Sequence, residues 1–223
     1  MTHAIRIHKA GPASVLKWEK VDIGKPKKGE ILIRNTAVGL NFIDTYHRKG
    51  LYPIPMPFTP GVEGAGIIEA VGAGVSNLKV GNRVAYCSDP LGSYAEQRIF
   101  PAERAIKIPS GISDEQAASM MLKGLTAAML LKRIYQPAKG DKVLIHAAAG
   151  GVGLILCQWA KHLGATVIGT VSSRKKAALA KANGCDHPII YTEKNFVEQV
   201  QRLTKKEGVP VVYDGVGKDT YPG

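Results

Sequence analysis

The period of apolar and polar positions changes near the middle of the chain. Through the first half, short alternating runs are separated by Gly and Pro: Ala4-Ile5-Arg6-Ile7-His8, Leu16 to Val21, Ile31-Leu32-Ile33-Arg34, Gly66 to Val71, Arg83 to Cys87 and Ser93 to Phe100. Gly72, Gly74 and Gly81 supply turns between them. Alternation with period two buries one face of a strand, so this half reads as a small, mostly β domain, with a barrel as one arrangement. Ser113-Asp114-Glu115-Gln116 has the spacing of a capping box and predicts a helix start. Gly124 is expected to interrupt that helix, with a second one from Leu125 to Tyr135 stopping at Pro137. A domain boundary near residue 125 follows, giving domains 1–125 and 126–223.

Beyond the boundary, strand and helix patterns alternate. Strands are expected at Val143 to Ala147, Thr166 to Val171, Pro188 to Tyr191 and Val211 to Asp214, with helices reaching Leu163, Asn183 (followed by Gly184 as a cap) and Lys206. Such alternation implies a parallel sheet with right-handed crossovers, an α/β Rossmann-type doubly wound arrangement. A doubly wound sheet usually has six strands, and the chain stops at Tyr221-Pro222-Gly223 just past the fourth. The sheet is therefore expected to be truncated, leaving Val209 to Tyr213 as an exposed edge.

The most informative stretch is GDKVLIHAAAGGVGLILCQWAK, Gly140 to Lys161. Val143, Leu144 and Ile145 suit a buried strand. Val152, Leu156, Trp159 and Leu163 fall on one apolar helical face, with Gln158, Lys161 and His162 on another. The turn between them is a variant of G-x-G-x-x-G, with Ala148, Gly150 and Gly153 at the three glycine positions. In that fingerprint the second glycine lets the backbone approach a pyrophosphate and the third lets helix pack on strand, while free N–H groups and the helix dipole favour the anion. Gly150, Gly151, Val152 and Gly153 are the expected donors.

An acidic residue that would hold the ribose 2′-hydroxyl of NAD is missing about 20 residues on. The second strand runs instead into Ser172-Ser173-Arg174-Lys175-Lys176. A 2′-phosphate needs hydroxyl donors and positive charge, so NADPH is the expected cofactor, with Ser172, Ser173, Arg174 and Lys176 around its phosphate. The alternative is that a serine caps the next helix and the basic residues are its solvated first turn, although cations there oppose the dipole.

Composition changes this picture little. With 223 residues, 45% hydrophobic and 22% charged, the chain is of ordinary globular type. The net charge of +12 is spread over both halves. It could steer anionic ligands, and no aromatic-and-basic pattern for RNA accompanies it. Cys87, Cys157 and Cys185 are too few and scattered for a disulfide framework or zinc cluster. No secretion signal and no membrane-length apolar run is present, which makes a cytoplasmic protein with reduced thiols the expectation. No Ser/His/Asp or Cys/His arrangement suggests a nucleophile.

The pattern G-D-x-x-L-x-x-x-A-A-G-G-x-G with a following Q-x-x-K, carried by Gly140, Asp141, Leu144, Ala148, Ala149, Gly150, Gly151, Gly153, Gln158 and Lys161, resembles the quinone oxidoreductase (zeta-crystallin-like) signature of the medium-chain dehydrogenase/reductase superfamily. GLNFIDTYHRKGLYP at Gly39 to Pro53, PGVEGAG at Pro60 to Gly66 and LKGLTA at Leu122 to Ala127 resemble other family segments. The resemblance implies a GroES-like catalytic domain ahead of the Rossmann domain, NADPH-dependent reduction of a small quinone, and a homodimer for the full-length protein. It places Asn41, Asp44 and Tyr46 beside the nicotinamide end and Tyr52 at the acceptor pocket. On pattern alone, the alternative is that Asn41 is an N-cap and Tyr46 a packed aromatic. Lys123 and Thr126 match positions near the nicotinamide ribose and phosphates, and Ser172, Lys176 and Tyr191 match positions around the 2′-phosphate. Gly215 and Gly217 follow the fourth strand at the same edge. Family members run roughly another hundred residues, in keeping with the expected truncation, and a chain ending here is expected to reduce quinones poorly.

Zinc-dependent relatives place a Cys ligand ahead of an Asp, and a His within Gly-His-Glu. Here Leu40-Asn41 precedes Phe42-Ile43-Asp44, and the triplet reads Gly61-Val62-Glu63, so a metal-free site is expected. The alternatives are an NADPH-dependent enone or enal reductase on the same fold, or a non-catalytic NADPH- or RNA-binding crystallin-like protein.

Overall fold

In the computed structural model, which describes residues 1–223, the alternating runs become two antiparallel sheets. Thr2–Arg6 (β1) pairs with Lys17–Val21 (β2). Glu30–Val38 (β3) leads to a helix at Phe42–Lys49 (α1), and Glu63–Val71 (β4), Arg83–Cys87 (β5), Gln97–Pro101 (β6) and Ala105–Lys107 (β7) follow. The second sheet has the order β6-β3-β4-β5-β7 and stays open, with β6 and β7 at its edges. Residues alternating inward from these strands, Ile31, Ile33, Ile68, Val84, Tyr86 and Phe100, form one buried cluster.

Three differences from the pattern reading have simple causes. β3 and β4 are longer than their alternating cores because bulges at Leu32/Ile33 and Asn35/Ala37 carry the pairing past breaks in period. Ser93 to Glu96 is not strand: Ala95 N–H turns back to the Ser93 carbonyl. β7 is only three residues long, too short to show a period.

The capping box forms as its spacing predicts. Gln116 N–H donates to Ser113 Oγ at 3.1 Å and Ser113 N–H to Gln116 Oε1 at 2.9 Å. The helix that follows, Asp114–Met129 (α2), runs straight through Gly124. One helical glycine costs about 1 kcal/mol relative to Ala, which weakens a helix without ending it. The last turn, Leu130–Ile134, widens into a π-helix. The chain divides into two compact units, Met1–Leu122 and Lys123–Gly223, so the division falls within this continuous helix.

The second unit is a parallel sheet. Lys142–Ile145 (β8), Gly151–His162 (α3), Thr166–Val171 (β9), Arg174–Ala182 (α4), His187–Ile190 (β10), Phe196–Leu203 (α5) and Val212–Tyr213 (β11) alternate along the chain. The strand order is β10-β9-β8-β11. The chain winds outward from β8 to β10, then returns past β8 to β11, which puts the reversal of winding at the β8/β11 junction. In open α/β sheets that junction, outside the carboxyl ends of the strands, is where ligands bind. Val143, Ile145, Leu156, Cys157, Ala160, Val167 and Val171 form the core between sheet and helix. α5 ends at Leu203, short of Lys206, because Lys205 and Lys206 turn into the left-handed region with φ of 55° and 70°. No helix of the chain is long and apolar enough to cross a membrane.

Candidate functional site

The strand-to-helix turn of the second unit is built by backbone constraint. Ala147, just past β8, has φ 50°, a left-handed conformation that costs a residue with a Cβ about 1 kcal/mol or more. Its carbonyl accepts Gly150 N–H at 2.7 Å, closing the turn, and Ala148 N–H reaches the Thr170 carbonyl at 3.0 Å. A Cβ on Gly153 would collide with the Ala147 carbonyl oxygen and lie 2.9 Å from backbone atoms of Ala148. Gly153 is therefore the residue that lets α3 approach the turn, the packing role assigned to the third glycine.

Gly150 is the N-cap of α3 and brings no side-chain oxygen. The first intrahelical bond of this end is Leu154 N–H to the Gly150 carbonyl at 2.9 Å. The N–H groups of Gly151, Val152 and Gly153 precede it and are the orphan donors of the first turn. Gly150 itself is a correction to the expected donor set, since its N–H is committed to Ala147. The Val152 side chain packs on the core, so only its N–H is available. A Cβ on Gly151 would lie 2.8 Å from Lys123 Cδ, which shows that the Lys123 stem lies against the turn. Thr126 sits three residues along α2 from Lys123, on the same helical face.

In front of this turn lies a cleft of about 580 Å³, lined by Ala149, Gly150, Ser172, Lys176 and Tyr191, as well as Thr170 and Phe196. Lys176 Nζ donates to Ser172 Oγ at 3.1 Å. Ser173 and Arg174 are not among its lining residues. The Ser173 hydroxyl accepts Lys176 N–H at 3.4 Å as the N-cap of α4, and Arg174 Nε pairs with Glu193 Oε1 at 3.2 Å. The capping alternative thus holds for Ser173 while Ser172 stays at the cleft. Gly217, with φ 85°, donates to Asp214 Oδ1 at 3.1 Å within a turn; its neighbour Val216 lines the cleft and Gly217 does not.

Behind the cleft, His146 is buried, with Nδ1 2.8 Å from Thr170 Oγ1 and its ring edge-on to Phe196. Burial holds its pKa below the ordinary histidine value, opposed in part by the charge of Asp214. Lys194 and Phe196 also line the cleft and were not found by motif reasoning. The available signal was their place just beyond the third strand, at the carboxyl edge of the sheet.

The first unit holds the second group of candidate residues. Asn41 caps α1, and its N–H donates to Asp44 Oδ2 at 2.9 Å, the return half of a capping box. Asp44 Oδ2 also accepts the Tyr94 hydroxyl at 2.8 Å, while Asp44 Oδ1 and His47 Nδ1 are buried without partners. Burial raises the Asp44 pKa, only partly opposed by the bonds from Tyr94 and Asn41; the Tyr94 hydroxyl is pushed up by burial and by the adjacent Asp44 carboxylate. Glu63, fully buried, accepts Asn41 Nδ2–H at 2.6 Å and Leu122 N–H at 2.7 Å. Tyr46 and Tyr52 lie apart from this network. Their rings meet edge-on with centroids 5.4 Å apart, Phe42 packs on Tyr46, and Tyr52 is 47% exposed. Asn41 and Asp44 are therefore bound into the interior, and Tyr46 and Tyr52 offer an aromatic surface.

These residues do not suit zinc. The chain has no group of three or more His, Cys, Asp or Glu side chains placed to hold a metal ion. Both Glu63 oxygens already accept hydrogen bonds, from Asn41 Nδ2–H and Leu122 N–H.

Two family models match. Residues 27–110 fit the alcohol dehydrogenase GroES-like domain, and residues 151–222 fit the family described as zinc-binding dehydrogenase. A 2-haloacrylate reductase of a Burkholderia species is 48% identical over 99% of this chain, which spans 68% of that protein. The crystal structure of a Pseudomonas syringae quinone oxidoreductase superposes with a TM-score of 0.97 at 49% identity, covering 100% of this chain and 69% of the other. That of Escherichia coli quinone oxidoreductase complexed with NADPH gives a TM-score of 0.96 at 46% identity, covering 99% and 68%. The chain belongs to the quinone oxidoreductase family of the medium-chain dehydrogenase/reductase superfamily, with a GroES-like domain followed by a Rossmann-type sheet.

Proposed function

We propose that this oxidoreductase binds NADPH in the cleft of its second unit and reduces quinones. The observation that carries the reading is an uncapped helix start at the β8/β11 junction, opening on a cleft that holds Ser172, Lys176 and Tyr191. The residues fit the cofactor by a direct criterion: Gly150 is a wall of the cleft and bears no side chain, leaving the backbone open to a diphosphate. In this reading Gly151, Val152 and Gly153 donate to that diphosphate, Lys123 adds charge beside it, and Ser172, Lys176 and Tyr191 surround the 2′-phosphate.

Bound NADPH supplies hydride. The protein orients two flat rings and excludes water, because a quinone is electron-poor and becomes aromatic on reduction without a Lewis acid to polarise it. Tyr46 and Tyr52 are the surface for the acceptor ring, and Asn41 and Asp44 fix the start of the helix that carries Tyr46. A second reading, reduction of an activated C=C bond, is favoured by the 48% identity to a 2-haloacrylate reductase.

Anaerobic mixing of the NADPH-loaded chain with 1,4-naphthoquinone, 2-chloroacrylate or a 2-alkenal tests both readings. NADPH oxidation at a higher kcat/KM with the quinone than with the acrylate or the alkenal is the expected result, even where absolute turnover is slow. Oxidation only by the acrylate or alkenal would replace quinone reduction with C=C reduction.

A further inference from the structure

A 2′-phosphate carries close to two negative charges, and a cleft that selects it needs more than one cation or an equivalent set of donors. The basic cluster after β9 supplies fewer than its sequence suggests. Arg174 is drawn to Glu193 with its side chain 86% exposed, and the Ser173 hydroxyl is spent on the helix cap. Lys176, with Ser172, is the cation of that cluster that lines the cleft.

A second cation reaches the same rim from a different segment. The connection between β10 and α5 is tied down beside Ser172: Tyr191 N–H donates to the Val171 carbonyl at 3.1 Å, and Thr192 Oγ1 donates to the Ser172 carbonyl at 3.3 Å. Lys194 N–H then donates to the Ile190 carbonyl at 3.0 Å, and Asn195 Oδ1 accepts Val197 N–H at 2.9 Å as the cap of α5. The backbone that carries Lys194 is therefore fixed on both sides. Lys194 lines the cleft with Ser172, Lys176 and Tyr191, and it makes no ion pair. Asp219, the acidic lining residue, belongs to the segment after β11.

We propose that Lys194 is the second cation for the 2′-phosphate, acting with Lys176 and Ser172 to select NADPH over NADH. This deepens, and rests on, the reading of the cleft as an NADPH site. Selectivity then depends on a residue outside the serine and lysine cluster, in the loop after the third strand.

Calorimetric titration with 2′,5′-ADP and 5′-AMP tests it without requiring turnover. Lys194→Gln is expected to weaken 2′,5′-ADP about tenfold, one charge-assisted contact at roughly 1.4 kcal/mol per decade, with 5′-AMP changed less than about twofold. Lys194→Arg should retain most of the affinity, and Lys181→Gln, an equal loss of charge at the far end of α4, should change neither probe. The 2′,5′-ADP affinity of Lys194→Gln should also depend less steeply on salt. Unchanged 2′,5′-ADP affinity in Lys194→Gln, or equal weakening of both probes, would overturn the role of Lys194 while leaving the cleft reading intact. If the unsubstituted chain binds neither probe, the cleft reading falls and this inference with it.

Discussion

The two units treat their polar groups in opposite ways. Around Asn41, Asp44 and Glu63 the first unit turns carboxyl groups inward onto its own amides and hydroxyls. The turn before α3 in the second unit holds its backbone under constraint and leaves the first three N–H groups of the helix without a capping side chain. Polar groups satisfied within the chain define a shape, whereas donors left open at a helix start define a binding site for an anion. The contrast explains why the second unit is read as a ligand site from its own geometry, and why Asn41 and Asp44 are read as supports for a neighbouring aromatic surface.

Substitutions can break this contrast, and the largest effect is expected inside the first unit. Glu63→Ala removes a fully buried carboxylate that accepts from Asn41 Nδ2–H and Leu122 N–H, costing about 3–4 kcal/mol by urea unfolding. Affinity for 2′,5′-ADP should be unchanged, and a parallel loss of that affinity would erase the distinction between the units. Gly153→Ala places a methyl group against the Ala147 carbonyl and should cost about 2–3 kcal/mol. It should also weaken NADPH at least tenfold, which equilibrium fluorescence titration would read; full affinity with full stability would show that close packing is not what the third glycine serves.

A pH series sharpens the comparison further. The Asp44 pKa is raised by burial above its unfolded value of 3.8, so above that pH the native state binds more protons than the unfolded chain. Stability from this group must then fall as pH rises through the window between the unfolded and folded values. Asp44→Asn removes that dependence, and its stability relative to the unsubstituted chain should improve from pH 4 upward. A flat or opposite difference in urea midpoints would mean that hydrogen bonding, not burial, dominates at Asp44. Smaller still, Ala147→Gly relieves a left-handed alanine and should raise stability by about 0.5 kcal/mol after the added chain entropy is counted. Arg174→Gln should change 2′,5′-ADP affinity less than about twofold, since its guanidinium is engaged by Glu193 and lies off the cleft.

Much of the fold was legible because burial imposes a period. β5 and β9 lie where the alternating and continuous apolar runs put them, and the Ser113 capping box opens α2. The glycine turn was legible because its spacing encodes backbone contacts: Gly153 could be assigned a packing role before any coordinates. Gly124 misled because a local propensity of about 1 kcal/mol is outweighed by the rest of the helix. The basic cluster after β9 was only half readable. Sequence offers a serine cap as one reading of Ser172-Ser173 but not which serine takes it, nor that Arg174 would find Glu193, a partner nineteen residues away. For Lys194 sequence offers only a position just beyond the third strand, because its place beside Ser172 is fixed by hydrogen bonds across the sheet. The inward engagement of Asn41 with Glu63 likewise depends on pairs distant in sequence.

The uncapped N–H groups at the start of α3 can be watched one by one. In a 1H–15N correlation spectrum of the labelled chain titrated with NADPH, the amides of Gly151, Val152 and Gly153 should shift downfield together as the diphosphate becomes their acceptor, while Gly150, bonded to Ala147, moves little. Binding of NADPH with those three amides unmoved would contradict the assignment of this turn as the cofactor site.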